Sequence, residues 1–147
     1  MILLGLISQS VKSQNSLFKI GSGLDIIPGT EYYSMVRMDL GLPYVHVDFS
    51  MSSYLYGEYT LKDSWYKWNA GVEIPLAKRI QIIPKVGMLT KSQYAHNAHN
   101  YFSYGIDFVY LSNVLIYFDA GLIGVANNGY KPGITFSVGL YLPKFNY

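Results

Sequence analysis

Hydrophobic and polar residues alternate along most of the chain from Leu17 onward. A period of two is typical of a β-strand whose faces meet different surroundings, because successive side chains point to opposite sides. No stretch combines a helical period with capping residues at both ends. The pattern predicts eight strands, over residues 17–26, 32–40, 45–52, 65–74, 80–88, 101–110, 114–123 and 134–142.

Charged residues fall on one face of these strands and not on the other. The apolar face has 38 positions, and none of them carries a charged side chain. The polar face carries ten of the 20 charged residues of the chain, and the remaining ten lie outside the strands. This contrast predicts that the apolar face lies either in a protein core or in the hydrocarbon of a membrane.

Three features indicate that the polar face is the inner one. It is rich in glycine, as a narrow lumen requires, and its charges are of both signs, which suits internal ion pairs. The apolar face carries large aromatic residues near strand ends, as the girdles of membrane barrels do. We therefore predict an all-β fold, an eight-stranded antiparallel up-and-down transmembrane β-barrel. A soluble lipocalin-like barrel, with its apolar face inward, is the alternative.

The inner face is then expected to hold a network of ion pairs. Eight strands leave an interior that side chains fill, so no water-filled pore is expected. Arg37 is the only arginine on this face, and Asp25 and Asp48 on the neighbouring strands are its expected partners. The members of the network, called the lumen residues below, are Lys19, Asp25, Arg37, Asp39, His46, Asp48, Lys67, Glu73, Lys85, Asp107 and Asp119.

The connections between the predicted strands differ in length. Those at 41–44, 75–79 and 111–113 are short, whereas those at 53–64, 89–100 and 124–133 are long. The first connection, 27–31, is short although it belongs with the long ones. In strand number, length and this alternation the chain resembles the small outer-membrane barrel domains of the OmpA and OmpX type. The resemblance implies a bacterial outer-membrane location, contact with outer-membrane lipid, and long loops outside the cell.

The first residues differ in pattern from the rest of the chain. Residues 1–7 are apolar, residues 8–15 are polar, and residues 11–13 resemble a cleavage site ahead of Gln14. We predict that residues 1–13 are the remnant of a signal peptide and that residues 14–147 form the barrel. An ordinary first strand over residues 2–7 is the alternative.

Composition excludes several functional classes. The net charge is +2 and no basic cluster occurs, so nucleic-acid binding is not expected. The absence of cysteine excludes disulfides, thiolate metal sites and cysteine nucleophiles. His96 and His99 have the spacing of a metal-binding pair in a predicted loop, but no third ligand lies nearby in sequence. We predict no cofactor, and we expect His46 to form a hydrogen bond with a carboxylate on the polar face.

The expected function is non-enzymatic. The barrel is predicted to contribute to envelope integrity, adhesion or an outer-membrane assembly, with a protein partner at its external loops. A lipid A-modifying hydrolase is one alternative, but barrels of that kind use a His and a Ser two residues apart, and no such pair occurs here. A soluble lipocalin-like binding protein is the second alternative.

Overall fold

A computed structural model shows that the chain forms a closed antiparallel β-barrel. It describes residues 16–27, 31–41, 45–54, 64–92, 99–126 and 131–143. The strands of this part are β1 (Ser16–Ile27), β2 (Glu31–Gly41), β3 (His46–Tyr54), β4 (Ser64–Gly71), β5 (Ile74–Ala77), β6 (Ile80–Ser92), β7 (His99–Leu111), β8 (Ile116–Val125) and β9 (Gly133–Pro143). The predicted all-β barrel is confirmed. Successive strands pair along the chain, except that β4 and β5 both pair with β6, and β1 pairs with β9 to close the sheet.

The fourth strand of the barrel consists of two segments, β4 and β5. Both pair with β6, and the register on either side of the gap is the same: Gly71 lies opposite Lys85, and Ile74 lies opposite Ile82. Val72 N donates to Pro84 O across the gap, at 3.2 Å. Proline has no N–H to donate in return, so the ladder is interrupted at Pro84. The predicted strand 65–74 is therefore correct in place but broken near its end.

The outer surface of the barrel is apolar. None of the 38 positions predicted for the apolar face is buried, and large side chains such as Val36, Trp68 and Leu140 expose more than half of their surface. A closed barrel with such a surface satisfies its backbone hydrogen bonds internally and can lie in hydrocarbon. The prediction that the polar face points inward is confirmed. Within the described residues, no helix has the length and apolar character needed to span a membrane.

The connections lie at two ends of the barrel, which we call the turn end and the loop end. The turn end carries the connections 42–45, 78–79 and 112–115, and the loop end carries 28–30, 55–63, 93–98 and 126–132. The longer connections share one end, as predicted. However, the connection predicted at 89–100 is shorter, because β6 continues to Ser92 and β7 begins at His99.

The interior is filled at both ends by apolar side chains, which the alternation of charges did not predict. Near the turn end these are Ile83, Val109, Leu111, Tyr117 and Tyr141, which we call the turn plug. Near the loop end, Tyr33, Trp65 and Leu89 pack together with the partly buried Tyr101 and Val125, which we call the loop plug. The charged residues lie mainly between these two plugs.

A row of three residues explains why glycine is frequent on the inner face. Gly21, Gly139 and Tyr117 lie side by side on β1, β9 and β8. A Cβ atom on Gly21 would lie 2.3 Å from the hydroxyl of Tyr117, and one on Gly139 would lie 2.0 Å from Ile20 O. Gly21 therefore leaves the space that the buried Tyr117 side chain needs in the turn plug, whereas Gly139 allows the backbone of β1 to lie close to β9.

One predicted strand begins later than expected. The strand predicted at 114–123 begins at Ile116, because Leu115 has a φ of 61° and forms part of the turn. The predicted signal-peptide remnant, residues 1–13, lies outside the described residues, so that division of the chain stays a prediction.

Candidate functional site: the charged lumen

All eleven lumen residues point into the barrel. Ten of them expose between 0 and 7% of their surface, and the side chain of Glu73 exposes 5%. Four of these residues are lysine or arginine, six are carboxylates, and one is His46. Charges taken out of water in this way are stable only when each has partners, so the contacts among them decide the electrostatics of the lumen.

Arg37 lies at the centre of the charged layer. Its Nε donates to Asp39 Oδ1 at 2.7 Å, its Nη1 to Asp119 Oδ2 at 2.7 Å and its Nη2 to Asp107 Oδ2 at 2.8 Å. Its Nη2 also lies 3.6 Å from Asp48 Oδ2. The planar guanidinium is suited to this role because its donors are held in a fixed plane and reach several carboxylates at once.

Lys85 on β6 contacts two of the same carboxylates. Its Nζ donates to Asp107 Oδ2 at 2.6 Å and lies 3.5 Å from Asp48 Oδ2. Asp48 Oδ1 accepts from Asn69 Nδ2 at 2.7 Å, and Asn69 Oδ1 accepts from Ser103 Oγ at 3.0 Å. The uncharged Asn69 and Ser103 were not singled out from the sequence. Both lie on the polar face, because each is an even number of residues from a charged lumen residue on its own strand.

His46 lies at the turn end of the charged layer, between two carboxylates. Its Nδ1 lies 3.3 Å from Glu73 Oε1, and its Nε2 lies 3.6 Å from Asp39 Oδ1. Lys19 approaches Asp39 from the other side, with its Nζ 3.6 Å from Asp39 Oδ2 and 5.7 Å from the centre of the Tyr117 ring. His46 thus contacts a lumen carboxylate, as the sequence suggested.

Asp25 and Lys67 form a separate pair nearer the loop end. Lys67 Nζ and Ser52 Oγ both donate to Asp25 Oδ2, and Lys67 also lies 3.7 Å from Met35 Sδ. The expected contact between Arg37 and Asp25 is therefore wrong.

Strand register explains the error. Asp25 lies opposite Tyr33 on β2, whereas Arg37 lies opposite Gly21. Four residues along a strand amount to roughly 13 Å. Sequence spacing defined the shared face but did not resolve this difference in height.

The lumen contains little free space. A cavity of about 20 Å³ lies beside the Asp25–Lys67 pair, and another of about 10 Å³ lies beside Arg37, Asn69 and Lys85. Each has room for about one water molecule at most. The two plugs and the charged layer therefore leave little space for a solute among the described side chains.

Of the two histidines with metal-binding spacing, only His99 belongs to the described residues, and His96 lies outside them. His99 is the first residue of β7, pairs with Lys91 on β6, and has its ring 6.4 Å from that of Tyr101. The expectation that His99 belongs to a loop is therefore wrong.

The structure is similar to solved outer-membrane barrels. It superposes on the Yersinia pestis outer-membrane protein Ail in a phospholipid bilayer nanodisc with a TM-score of 0.60, at 9% identity, over 87% of this chain and 100% of that one. The N-terminal β-barrel domain of Pseudomonas aeruginosa OprF gives a TM-score of 0.67 at 12% identity, over 88% and 98% of the two chains. A crystal structure of Ail with the heparin analogue sucrose octasulfate gives 0.56 at 12% identity, over 88% and 99%.

No sequence profile of a known protein family matches the chain, and no curated protein matches it in sequence. At such low identity the structural similarity establishes the fold, which is that of the small outer-membrane β-barrels. The predicted resemblance is thereby confirmed. The bacterial outer-membrane location expected from the sequence agrees with this fold and with the apolar outer surface of the barrel.

Proposed function

We propose that this protein is a non-enzymatic barrel of the bacterial outer membrane, with its loop end outside the cell and its closed lumen serving as a rigid support. Its contribution to envelope integrity, adhesion or an outer-membrane assembly is then made through contacts at the loop end. The filled interior supports this proposal most directly. Two apolar plugs and an ion network occupy the space that a pore or an enclosed substrate would need.

The loop end offers charged and aromatic side chains for a partner. Lys91 Nζ lies 5.2 Å from the centre of the Trp65 ring, at the rim of the loop plug, and Lys131 is exposed on the same end. Cations beside aromatic rings are suited to sulfated or otherwise anionic sugars. The Ail structure with a sulfated sugar shows that a barrel of this fold can bind such a ligand. We therefore favour adhesion to an anionic glycan among the three roles.

Binding of sucrose octasulfate to the barrel in nanodiscs tests this role. The double variant Lys91→Ala/Lys131→Ala is expected to weaken binding, because it removes two cations from the loop end. The matched control Lys78→Ala/Arg79→Ala removes two cations from the turn end and is expected to bind like the wild type. Equal losses in both variants, or no binding by the wild type, would argue against an adhesive loop end.

A hydrolase acting on lipid A is the alternative to be tested. Mass spectrometry of lipid A from cells with and without the protein distinguishes the two functions. We expect identical acyl and phosphate composition in both. A reproducible loss of an acyl chain that depends on the protein would support the enzyme instead.

The outer-membrane location is tested by extraction. We expect the protein to be released from outer-membrane fractions only by detergent.

A further inference from the structure

We propose that the turn end of the charged lumen is a binding site for one divalent transition-metal ion, with Zn²⁺ as the reference ion. The ligands are His46 Nε2 and one carboxylate oxygen each from Asp39 and Asp48. One potential ligand atom from each of the three residues lies within 4.8 Å of the other two, and all three residues are at least 99% buried.

The candidate ligand atoms retain capacity for a metal ion. Among the described residues, His46 Nε2 and Asp39 Oδ2 are buried and have no hydrogen-bond partner. Their charged contacts are long, since Asp39 Oδ2 lies 3.6 Å from Lys19 Nζ and His46 Nε2 lies 3.6 Å from Asp39 Oδ1. Asp48 Oδ2 has only long contacts, at 3.5 Å to Lys85 and 3.6 Å to Arg37. A buried acceptor without a close hydrogen bond is costly, and a bound cation at this point would relieve that cost. Zinc bonds of 2.0–2.2 Å require the three groups to move inward by about 1 Å.

The surrounding groups are arranged as a second coordination shell. Glu73 Oε1 lies 3.3 Å from His46 Nδ1. In the tautomer in which Nδ1–H donates to this carboxylate, Nε2 carries the lone pair that a metal ion needs. A carboxylate that orients a metal-bound histidine through its other nitrogen is a common feature of zinc sites. Arg37 Nε and Asn69 Nδ2 hold the second oxygens of Asp39 and Asp48, each at 2.7 Å. The ligands are therefore already oriented.

The charge balance of the lumen also favours a cation. The described lumen holds six carboxylates but only four lysine and arginine side chains. Asp25 and Lys67 balance each other, so the excess of two carboxylates belongs to the layer that contains the site. Lys19, Arg37 and Lys85 border this layer and repel an added cation, but they leave the layer with a net excess of two negative charges. A single divalent ion would balance that excess.

The mixed ligand set determines the choice of ion. Imidazole suits Zn²⁺ and its neighbours in the transition series, whereas Mg²⁺ and Ca²⁺ prefer sites made of oxygen alone. The protein lacks cysteine, so thiolate binding cannot compete. The two remaining histidines, His96 and His99, can compete, and the test has to remove them first.

The experiment uses the folded barrel in detergent after treatment with a chelator. Zn²⁺ is titrated into the His96→Gln/His99→Gln variant, and heat and stoichiometry are measured by calorimetry. We expect one ion per chain. Adding His46→Gln is expected to remove the binding, and adding Glu73→Gln is expected to weaken it by about 10- to 100-fold, as loss of a second-shell partner does. Mg²⁺ at the same concentration is expected to give no heat.

A spectroscopic measurement covers the case in which the His46→Gln variant does not fold. X-ray absorption at the zinc edge of the His96→Gln/His99→Gln variant should show one imidazole and otherwise oxygen ligands. Absence of zinc from this variant, or a spectrum without an imidazole, would overturn the site. Zinc that binds the wild type but is lost from the double variant would overturn the site and place the ion at His96 and His99 instead.

Discussion

Arg37 and Asp119 form a 2.7 Å ion pair across the lumen, although β2 and β8 are not neighbours in the barrel. The two residues are 82 positions apart in the chain, and β1 and β9 separate their strands in the sheet. The pair therefore joins opposite parts of the wall through the interior. Arg37 also forms ion pairs with Asp39 on its own strand, β2, and with Asp107 on β7.

Replacing Arg37 should destabilise the barrel more than replacing Asp119. Arg37→Met leaves several buried carboxylates without their shared donor, and breaking a buried pair in this way costs about 3–5 kcal/mol. The double variant Arg37→Met/Asp119→Leu should cost less than the sum of the two single variants, by about 1–3 kcal/mol. Urea unfolding in lipid vesicles measures all three. Additive costs would show that the lumen charges act independently.

Arginine on the outer surface should be tolerated according to depth. Val138 lies in the middle of β9, opposite Ser22 and Phe118, whereas Leu142 is the penultimate residue of the strand. Val138→Arg should cost about 2–4 kcal/mol in a bilayer, and Leu142→Arg should cost at most about 1 kcal/mol. The same unfolding measurement in vesicles compares them. Equal costs would contradict a bilayer around this face.

Glycine at position 115 should stabilise the turn between β7 and β8. Leu115 has a φ of 61°, a conformation that costs a side chain about 1 kcal/mol or more relative to glycine. Its backbone is fixed there, since Leu115 O accepts from Tyr141 N at 2.9 Å. Leu115→Gly is therefore expected to raise the free energy of unfolding by about 1 kcal/mol. Val114→Gly in the same turn is the control, and a similar gain there would exclude this explanation.

Cysteine labelling should distinguish the two ends of the barrel in intact cells. The chain has no cysteine of its own, so a single introduced thiol reports its position without background. Lys131→Cys at the loop end should react with a membrane-impermeant maleimide, and Lys78→Cys in the connection of the turn end should react only after the outer membrane is opened. Both native side chains are exposed. Labelling in the reverse order would invert the proposed orientation.

Strand positions and faces were predictable because they depend on local alternation. The strand predicted at 17–26, for example, differs from β1 by one residue at each end. The exceptions have identifiable causes. Pro84 on β6 interrupts the hydrogen bonds to the adjacent strand between β4 and β5. Leu115 adopts a backbone conformation that its residue type does not favour. Neither effect is visible in the pattern of hydrophobic residues.

The contacts inside the lumen were less predictable because they depend on the tilt and height of distant strands. The eleven lumen residues all point inward, yet Arg37 meets Asp107 and Asp119 rather than Asp25. The plugs were missed for another reason. Buried residues such as Ile83 and Tyr117 occupy inward-facing strand positions that the alternation assigns to polar residues. The charge pattern identified these positions as inward-facing but did not predict that apolar side chains would pack there.

The pairing of β1 with β9 has a consequence for how the chain reaches its folded state. Ile20 lies opposite Leu140, so the ladder that closes the barrel joins residues separated by most of the sequence. Ladders between strands adjacent in the chain need only short loops to close, whereas this one requires nearly the whole chain to be in place. Until then β1 and β9 are open edges, whose unpaired backbone groups are unfavourable in hydrocarbon and prone to pair with other chains. Insertion and closure should therefore occur together, and a chain that stops before Gly133 should aggregate rather than remain in the membrane as an open sheet.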